Sequence, residues 1–364
     1  MAKKLTREIA YKEFQKYFQG KPFVLFGSGM SCAVDNKFGM DCLKEHLLDK
    51  LAEKKLNFAQ QAEWDSVIKS LNSSYDFETS MNNIKDDDLI NEIVGITGDF
   101  VSKLDYKYSQ EIVNGNKNWP ASTLFEKLVD GLPGTDRELH VATPNYDMLA
   151  EYAFSKAGIL YINGFYGGII RHLGWEQSRR SITYVDKVSH RKKIELVTRK
   201  HKHIALYKVH GSLNLFSTND DNFIENNALL YMPIPEGTKR LIITPGISKN
   251  EKLHWFRKEL LGKFDVAVEK HNYFLFLGFG FNDKQLITRA ILDKLKNQKC
   301  NGLIITKDTN DRINKLLGEA ENLWLICQSG SGTNIKNKKY SAPLFLQNEE
   351  LWKVNIFAQK ILGG

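Results

Sequence analysis

Apolar residues recur along this chain in two rhythms, one of helices and one of buried strands. From Leu5 to Phe18 they repeat at helical spacing and stop at "QGKP". The stretch "PFVLF" then runs directly into "GSGMSC", which predicts a strand over Phe23–Phe26 ending in a glycine loop. Helical spacing returns from Asp41 to Leu71, where "LKEHLLDKLAEKK" shows it best, and continues through "LINEIVGITGDFVSKL" and "PASTLFEKLVDGL". Residues 40–130 or so therefore read as a helical insertion. Strands resume at "ELHVATPNYD", "KHIALYKVHGS", "RLIITPG", "NYFLFLGFGFND", "NGLIIT" and "NLWLICQ". Several are unbroken apolar runs, as expected where helices cover both faces of a parallel sheet. The expected fold class is α/β: a Rossmann-like parallel sheet with helices on both faces and a helical insertion. The Ser/Gly/Asn-rich "QSGSGTNIKNKKYS" reads as a flexible loop, and "NEELWKVNIFAQKIL" as a final helix.

Composition narrows this picture little. The 364 residues are 42% hydrophobic and 26% charged, ordinary for a globular protein with ample core. The net charge of +8 and the pI of about 9.0 fit a lysine-rich surface, or an anionic ligand drawn by a positive field. Basic residues crowd "SRR", "SHRKK" and "TRKHKH" between Ser178 and His203, with few aromatics among them. That run predicts an exposed, mobile hairpin within about 165–205, and nucleic-acid contact there stays an open alternative. The cysteines Cys32, Cys42, Cys300 and Cys327 make no C-x-x-C pair, so neither a zinc ribbon nor a disulfide framework is expected. The N-terminus is charged and helix-patterned, unlike a secretory signal, and no apolar run is long enough to span a bilayer. The expected location is cytoplasmic, with no membrane partner. Scattered carboxylates show no metal spacing, so no metal is expected.

The candidate chemistry lies at four strand ends, because ligands of open parallel sheets bind beyond the carboxyl ends of strands. These ends read Gly27-Ser28-Gly29, Thr143-Pro144-Asn145-Tyr146-Asp147, His210-Gly211-Ser212 and Gly278-Phe279-Gly280-Phe281-Asn282-Asp283. The first is not a standard dinucleotide fingerprint: Cys32 stands where glycine or alanine is needed, and no strand ending in an acidic residue follows about 20 residues on. Bland readings compete at each position. Asn145 and Asp147 are good turn-capping residues, the glycines allow tight packing, and Asp283 reads as the cap of the helix "KQLITRAILDKL".

In their order, however, a glycine loop, a T-x-N-x-D end, an H-G end and a late glycine loop resemble the SIR2 family over roughly residues 20–330. The likeness is to the SIR2-like proteins of bacterial anti-phage defence, including the SIR2 subunit of SIR2–HerA-like systems. It implies an NAD-binding domain (21–330); the residue pattern adds an N-terminal helix (1–20) before it and a C-terminal loop and helix (331–364) packing on the same domain. It also implies NAD+ as substrate. By resemblance, Gly27, Ser28 and Gly29 hold its phosphates, while Asn145 and His210 flank the nicotinamide ribose as catalytic residues. Asp147 contacts the carboxamide, Gly278 and Gly280 back the adenosine ribose, and Ser31 and Asn282 complete the cofactor-binding set. The deacetylases of the family carry paired C-x-x-C zinc ligands and a G-x-P-D-F-R segment; this chain has neither, and reads "FGMDCL" instead. That departure points to hydrolysis of NAD+ to nicotinamide and ADP-ribose in abortive infection. Partners implied are further copies of the chain and a HerA-like ATPase or an Argonaute-type protein. The alternatives are a non-catalytic NAD+- or ADP-ribose-binding regulatory subunit, and a deacylase or ADP-ribosyl transferase.

Overall fold

The computed structural model describes residues 4–73, 75–190, 193–218, 222–244, 251–283, 286–287, 289–297 and 300–363. Thr6 caps helix α1 (Arg7–Tyr17), and strand β1 (Phe23–Phe26) follows, as the sequence predicts. The short helix α2 (Ser28–Cys32) and a 3-10 turn (Asn36–Phe38) then lead into α3 (Met40–Ala52), α4 (Phe58–Asn72), α5 (Phe77–Met81) and α6 (Asp87–Val113). The predicted helix over Asp41–Leu71 is in fact two, because Asn57 starts α4 afresh with a reciprocal cap to Gln60. Asp76 and Asp86 start α5 and α6 by accepting from Thr79 N and Leu89 N. Trp64, Val67, Met81, Ile90 and Ile93 join Leu43 and Leu47 in a core of their own.

After α7 (Ser122–Asp130) the chain alternates β2 (Glu138–Thr143), α8 (Leu149–Lys156), β3 (Leu160–Ile162), β4 (Phe165–Gly167), β5 (Ile170–Leu173) and α9 (Trp175–Arg180). The basic run forms a two-stranded ribbon, β6 (Thr183–His190) with β7 (Lys193–Lys200); its Arg191 and Lys192 lie outside the described residues. Then come β8 (His203–Lys208), β9 (Gly211–Ser217), β10 (Phe223–Asn226), β11 (Lys239–Ile242), α10 (Glu251–Lys270) and β12 (Tyr273–Leu277). The chain closes with α11 (Arg289–Lys296), β13 (Asn301–Thr306), α12 (Asp311–Glu319), β14 (Leu323–Ser329), β15 (Gly332–Lys336), β16 (Leu344–Gln347) and α13 (Val354–Leu362). Pro245 and Gly246 of "RLIITPG", and Lys284, Gln285 and Thr288 of "KQLITRAILDKL", lie outside the described residues.

Nine strands form one sheet in the order β16-β15-β14-β13-β12-β1-β2-β8-β3, parallel from β14 to β3. Alternate residues of one strand enter opposite cores. Val24, Phe26, Leu275 and Leu277 face the helices α1, α7, α8 and α13; Phe23, Leu25, Phe274 and Phe276 face α10, α11 and α12. This two-sided burial explains why the strands read as unbroken apolar runs.

Three expectations need correction. The presumed loop "QSGSGTNIKNKKYS", the first part of the predicted 331–364 loop and helix, holds the antiparallel hairpin partner β15, and β16 follows it. Its Ser, Gly and Asn content hid a strand that buries Thr333 and Ile335. The strand in "RLIITPG" is not in the main sheet but at the edge of a second, five-stranded one, β11-β9-β10-β5-β4. The final helix begins at Val354, so the first five residues of "NEELWKVNIFAQKIL" and Lys353 precede it.

Candidate functional site

Strand order reverses around β1: the chain lays β2 and β8 on one side and β12, β13 and β14 on the other. A crevice forms at such a switch point, outside the carboxyl ends of the strands. Here it is a cleft of about 230 Å³, lined by Gly27, Ser28 and Ser31 after β1, Asn145 and Asp147 after β2, His210 after β8, and Gly280, Asn282 and Asp283 after β12. Eight of the ten residues singled out from the sequence thus meet in one cavity. Gly29 and Gly278 are not among its lining residues. They face each other instead: Gly29 N donates to Gly278 O at 3.1 Å, and a Cβ on Gly29 would meet Gly278 backbone at 2.7 Å. Their lack of side chains lets two loops touch.

The glycine loop spends much of its own backbone. Gly27 N donates to Leu277 O at 3.0 Å and Gly29 N to Gly278 O, so neither amide faces outward. Ser28 is exposed at the cleft and is the member of the loop best placed for a ligand.

Asn145 is almost buried, and its amide has one permitted orientation. Nδ2 donates to Gly27 O at 3.1 Å and to Ser31 Oγ at 2.9 Å; a carbonyl only accepts, so the nitrogen must lie on that side. Both amide hydrogens are spent, which leaves Oδ1 as an acceptor for a ligand hydroxyl or a water. Ser31 Oγ passes the chain on, donating to Asp147 Oδ2 at 2.7 Å, while Asp147 Oδ1 accepts from Leu149 N at 3.3 Å. Asp147 therefore braces the first turn of α8, one residue before its N-cap Met148, and faces the cleft. Burial raises its pKa, against the pull of Lys208 and Ser31. Behind it, Lys208 is buried and donates to Asp147 O at 2.5 Å and to Glu151 Oε1 at 2.7 Å. Burial likewise raises Glu151.

His210 sits at a turn that only glycine can complete. Gly211 has φ +82°, and a Cβ there would stand 2.1 Å from Leu241 O. His210 Nε2 lies 2.8 Å from Asp283 Oδ2; both atoms are shut off from solvent, and the approach is oblique to a straight hydrogen bond. Asp283 Oδ1 accepts from Leu286 N at 3.1 Å, which closes a turn; α11 itself starts only at Arg289, so the aspartate read from the sequence as that helix's cap holds the turn before it instead, and it also meets the histidine, a contact not foreseen. The loop carrying Asp283 is strained: Phe281 takes φ +59°, which costs a residue with a side chain about 1–2 kcal/mol. Its buried ring, 4.7 Å from Phe276 and 5.5 Å from Phe279 centre to centre, holds it there. Asn310 Nδ2 donates to Gly280 O at 2.8 Å and Arg312 Nη1 to Asn282 Oδ1 at 2.9 Å, tying the loop to the start of α12.

The opposite wall is apolar and was not foreseen: Phe38, Met40 and Leu43 with Phe100 and Val101 of α6. Helical spacing marks such residues as core, and nothing local says that one of their edges faces a cleft. Asp105 of α6 joins the walls, accepting from Met148 N and Tyr231 Oη, each at 2.6 Å. Burial and the neighbouring Asp147 push its pKa up to about 7. Cys32, next to the cleft, is pushed up to about 11 by burial, so it offers no thiolate at neutral pH. Among the described residues no group of three or more His, Cys, Asp or Glu is arranged to hold a metal ion, and no helix is long and apolar enough to cross a membrane.

A doubly wound sheet whose switch point gathers a glycine loop, an amide and an imidazole defines a nucleotide-utilising α/β protein. The chain belongs to the SIR2-like domain family, whose model matches residues 139–326, and such a domain implies NAD+-dependent activity in general. The match spans three of the four strand ends, from β2 to β14. A solved structure from work on the "Structural Basis for the Mechanism and Regulation of Sir2 Enzymes" is similar over 85% of this chain and 90% of that one, at 11% identity and a TM-score of 0.37. Agreement that loose carries no argument about the site. No curated protein matches the chain.

Proposed function

We propose that the protein hydrolyses the N-glycosidic bond of NAD+, releasing nicotinamide and ADP-ribose. The observation that carries this reading is Asn145: its amide hydrogens are locked inside, and its carbonyl oxygen is left for a cleft that it shares with His210. Nicotinamide departs as a neutral base from a pyridinium, so no general acid is needed. What remains is to steady an oxocarbenium-like sugar and to deliver water, the second half of glycoside hydrolysis. Asn145 Oδ1 would orient a ribose hydroxyl and the water, and His210 would take the proton. Such groups contribute about 10²–10⁴ in rate each. The enclosed volume falls below the roughly 300–1,000 Å³ of a typical ligand pocket. It suits the ribose end of NAD+, with the phosphates running out past Ser28 towards Gly280 and Asn282.

Hydrolysis is favoured over deacylation because the chain lacks the paired C-x-x-C ligands of a zinc module that would shape a peptide groove. Of its four cysteines, Cys32 and Cys42 are half-buried, and Cys300 and Cys327 are buried in the core. Biologically, this reading makes the chain the effector of an anti-phage abortive-infection system, gated by self-assembly or by a HerA-like ATPase or Argonaute-type partner.

The test incubates the purified chain with NAD+, with and without the product of the adjacent gene, and follows nicotinamide by chromatography. Equal amounts of nicotinamide and free ADP-ribose are expected, with Asn145→Ala and His210→Ala losing turnover. O-acyl-ADP-ribose or protein-linked ADP-ribose would mean a transferase, and NAD+ binding without release a regulatory subunit. Wild-type turnover in either variant would remove the assigned roles.

A further inference from the structure

We propose that Asp283 is the positioning residue that fixes the tautomer of His210, so that Nδ1 is the basic nitrogen presented to the cleft. The proposal rests on the hydrolase reading for its kinetic consequence, but not for its geometry. His210 Nε2 is closed off from solvent and stands 2.8 Å from Asp283 Oδ2, so a ligand in the cleft reaches the imidazole from its other side. An ionised carboxylate only accepts, and therefore selects the tautomer that carries its proton on Nε2.

Both partners are held from outside the pair. On one side, Ile243 N donates to His210 O at 2.9 Å, and Gly211 at φ +82° sets the turn. On the other, Leu286 N fixes Asp283 Oδ1, and the left-handed Phe281, packed between two phenylalanine rings, bends the loop back over the cleft. A strained bend that brings a partly buried carboxylate against an imidazole is better explained by positioning than by closing a turn alone.

In the proposed reaction the attacking water gives its proton to Nδ1 as its oxygen bonds to the ribose C1′. The electron pair of the breaking C1′–N bond returns to the pyridinium nitrogen. Asp283 keeps its charge throughout and balances the imidazolium as it forms, as the carboxylate does in a Ser-His-Asp triad.

Asp283→Asn separates the roles, because asparagine closes such a turn as well as aspartate does. It keeps an acceptor for Leu286 N but offers an N–H to Nε2, which reverses the preferred tautomer. The expected results are a fall in kcat of about 10²-fold or more with KM within about threefold, and a changed imidazole spectrum. In ¹⁵N-histidine-labelled protein, long-range ¹H–¹⁵N spectra should show His210 as the Nε2–H form in wild type and the Nδ1–H form in the variant. The peak is assigned by its loss in His210→Gln. Asp283→Glu should recover part of the turnover, and Asp283→Ser, an uncharged acceptor for the turn, should not. Wild-type turnover or an unchanged His210 spectrum in Asp283→Asn overturns the proposal. Should the wild type release no nicotinamide under any condition, the hydrolase reading fails, and the spectra alone still decide what Asp283 does.

Discussion

One wall of the cleft comes from strand ends and carries Ser31, Asn145, Asp147 and His210; the other comes from the helical insertion and carries Phe38, Met40, Leu43, Phe100 and Val101. On the first wall a chain of hydrogen bonds sets the side chains, with Asn145 Oδ1 left over for a ligand. Gly27 O fixes the Asn145 amide, Ser31 Oγ donates to Asp147, and Lys208 spans Asp147 O and Glu151. On the second wall position follows from packing, which tolerates substitutions of similar volume. A wall of satisfied hydrogen bonds should fail sharply when one member is removed, whereas a packed wall should degrade by degrees.

The largest expected effect tests that brittleness. Lys208→Met leaves Glu151 buried without its cation and Asp147 O without its donor, and should cost about 3–5 kcal/mol of stability in urea unfolding. Adding Glu151→Leu should restore most of it, because an apolar pair of similar volume replaces a buried ion pair at little cost. A loss under about 1 kcal/mol in the single variant would place both walls under the same rule.

The two walls also differed in how much of them could be read in the chain. Strand ends announce themselves: an apolar run stops, and the residues beyond it are glycine, asparagine, aspartate or histidine. Hence β1, the Thr143–Asp147 end, the His210 turn and the Gly278 loop were all legible. Lys208 was not, because a lysine inside "KHIALYKVHGS" reads as the polar position of an exposed strand edge. Its burial depends on Glu151, 57 residues away along the chain. The pairing of Asp283 with His210 spans two strand ends and needs a left-handed phenylalanine, which no local rule favours. The second sheet was missed for a related reason. Its strands β4, β5 and β10 are three or four residues long, too short for a period to show.

Asp105 is where the walls are joined, and it gives the next prediction. Its folded pKa is raised to about 7 from an ordinary 3.8. Below about pH 4 the group is protonated in both states and its burial costs no ionisation. Between there and about 7 the unfolded carboxyl ionises while the folded one keeps its proton, so stability falls by about 1.4 kcal/mol per pH unit. Above the folded value that loss is complete. Asp105→Asn should remove this share. Against wild type, its relative stability in urea at pH 5, 6, 7 and 8 should rise by about 2–3 kcal/mol from the first to the last. Some slope will remain, because Glu225 is also raised to about 7 by burial. Parallel profiles for the two proteins would mean that the joint does not titrate as its burial requires.

The smallest effect falls on the apolar wall. Phe100 is half-buried, stacks on His46 with ring centres 4.6 Å apart, and touches both the insertion core and the cluster around Val101 and Met148. Phe100→Ala removes part of a ring from the cleft and leaves every polar contact of the opposite wall in place. It should raise KM for NAD+ about three- to tenfold, equivalent to about 0.7–1.4 kcal/mol of lost apolar contact, with kcat within about twofold. Phe100→Leu, which keeps most of the volume, should lie close to wild type. A large fall in kcat with unchanged KM would contradict this, since it would mean that the helical wall acts on the reacting bond and not only on binding. The insertion would then have to be read as part of the catalytic wall, coupled through Asp105 and the Met148 backbone to Asp147.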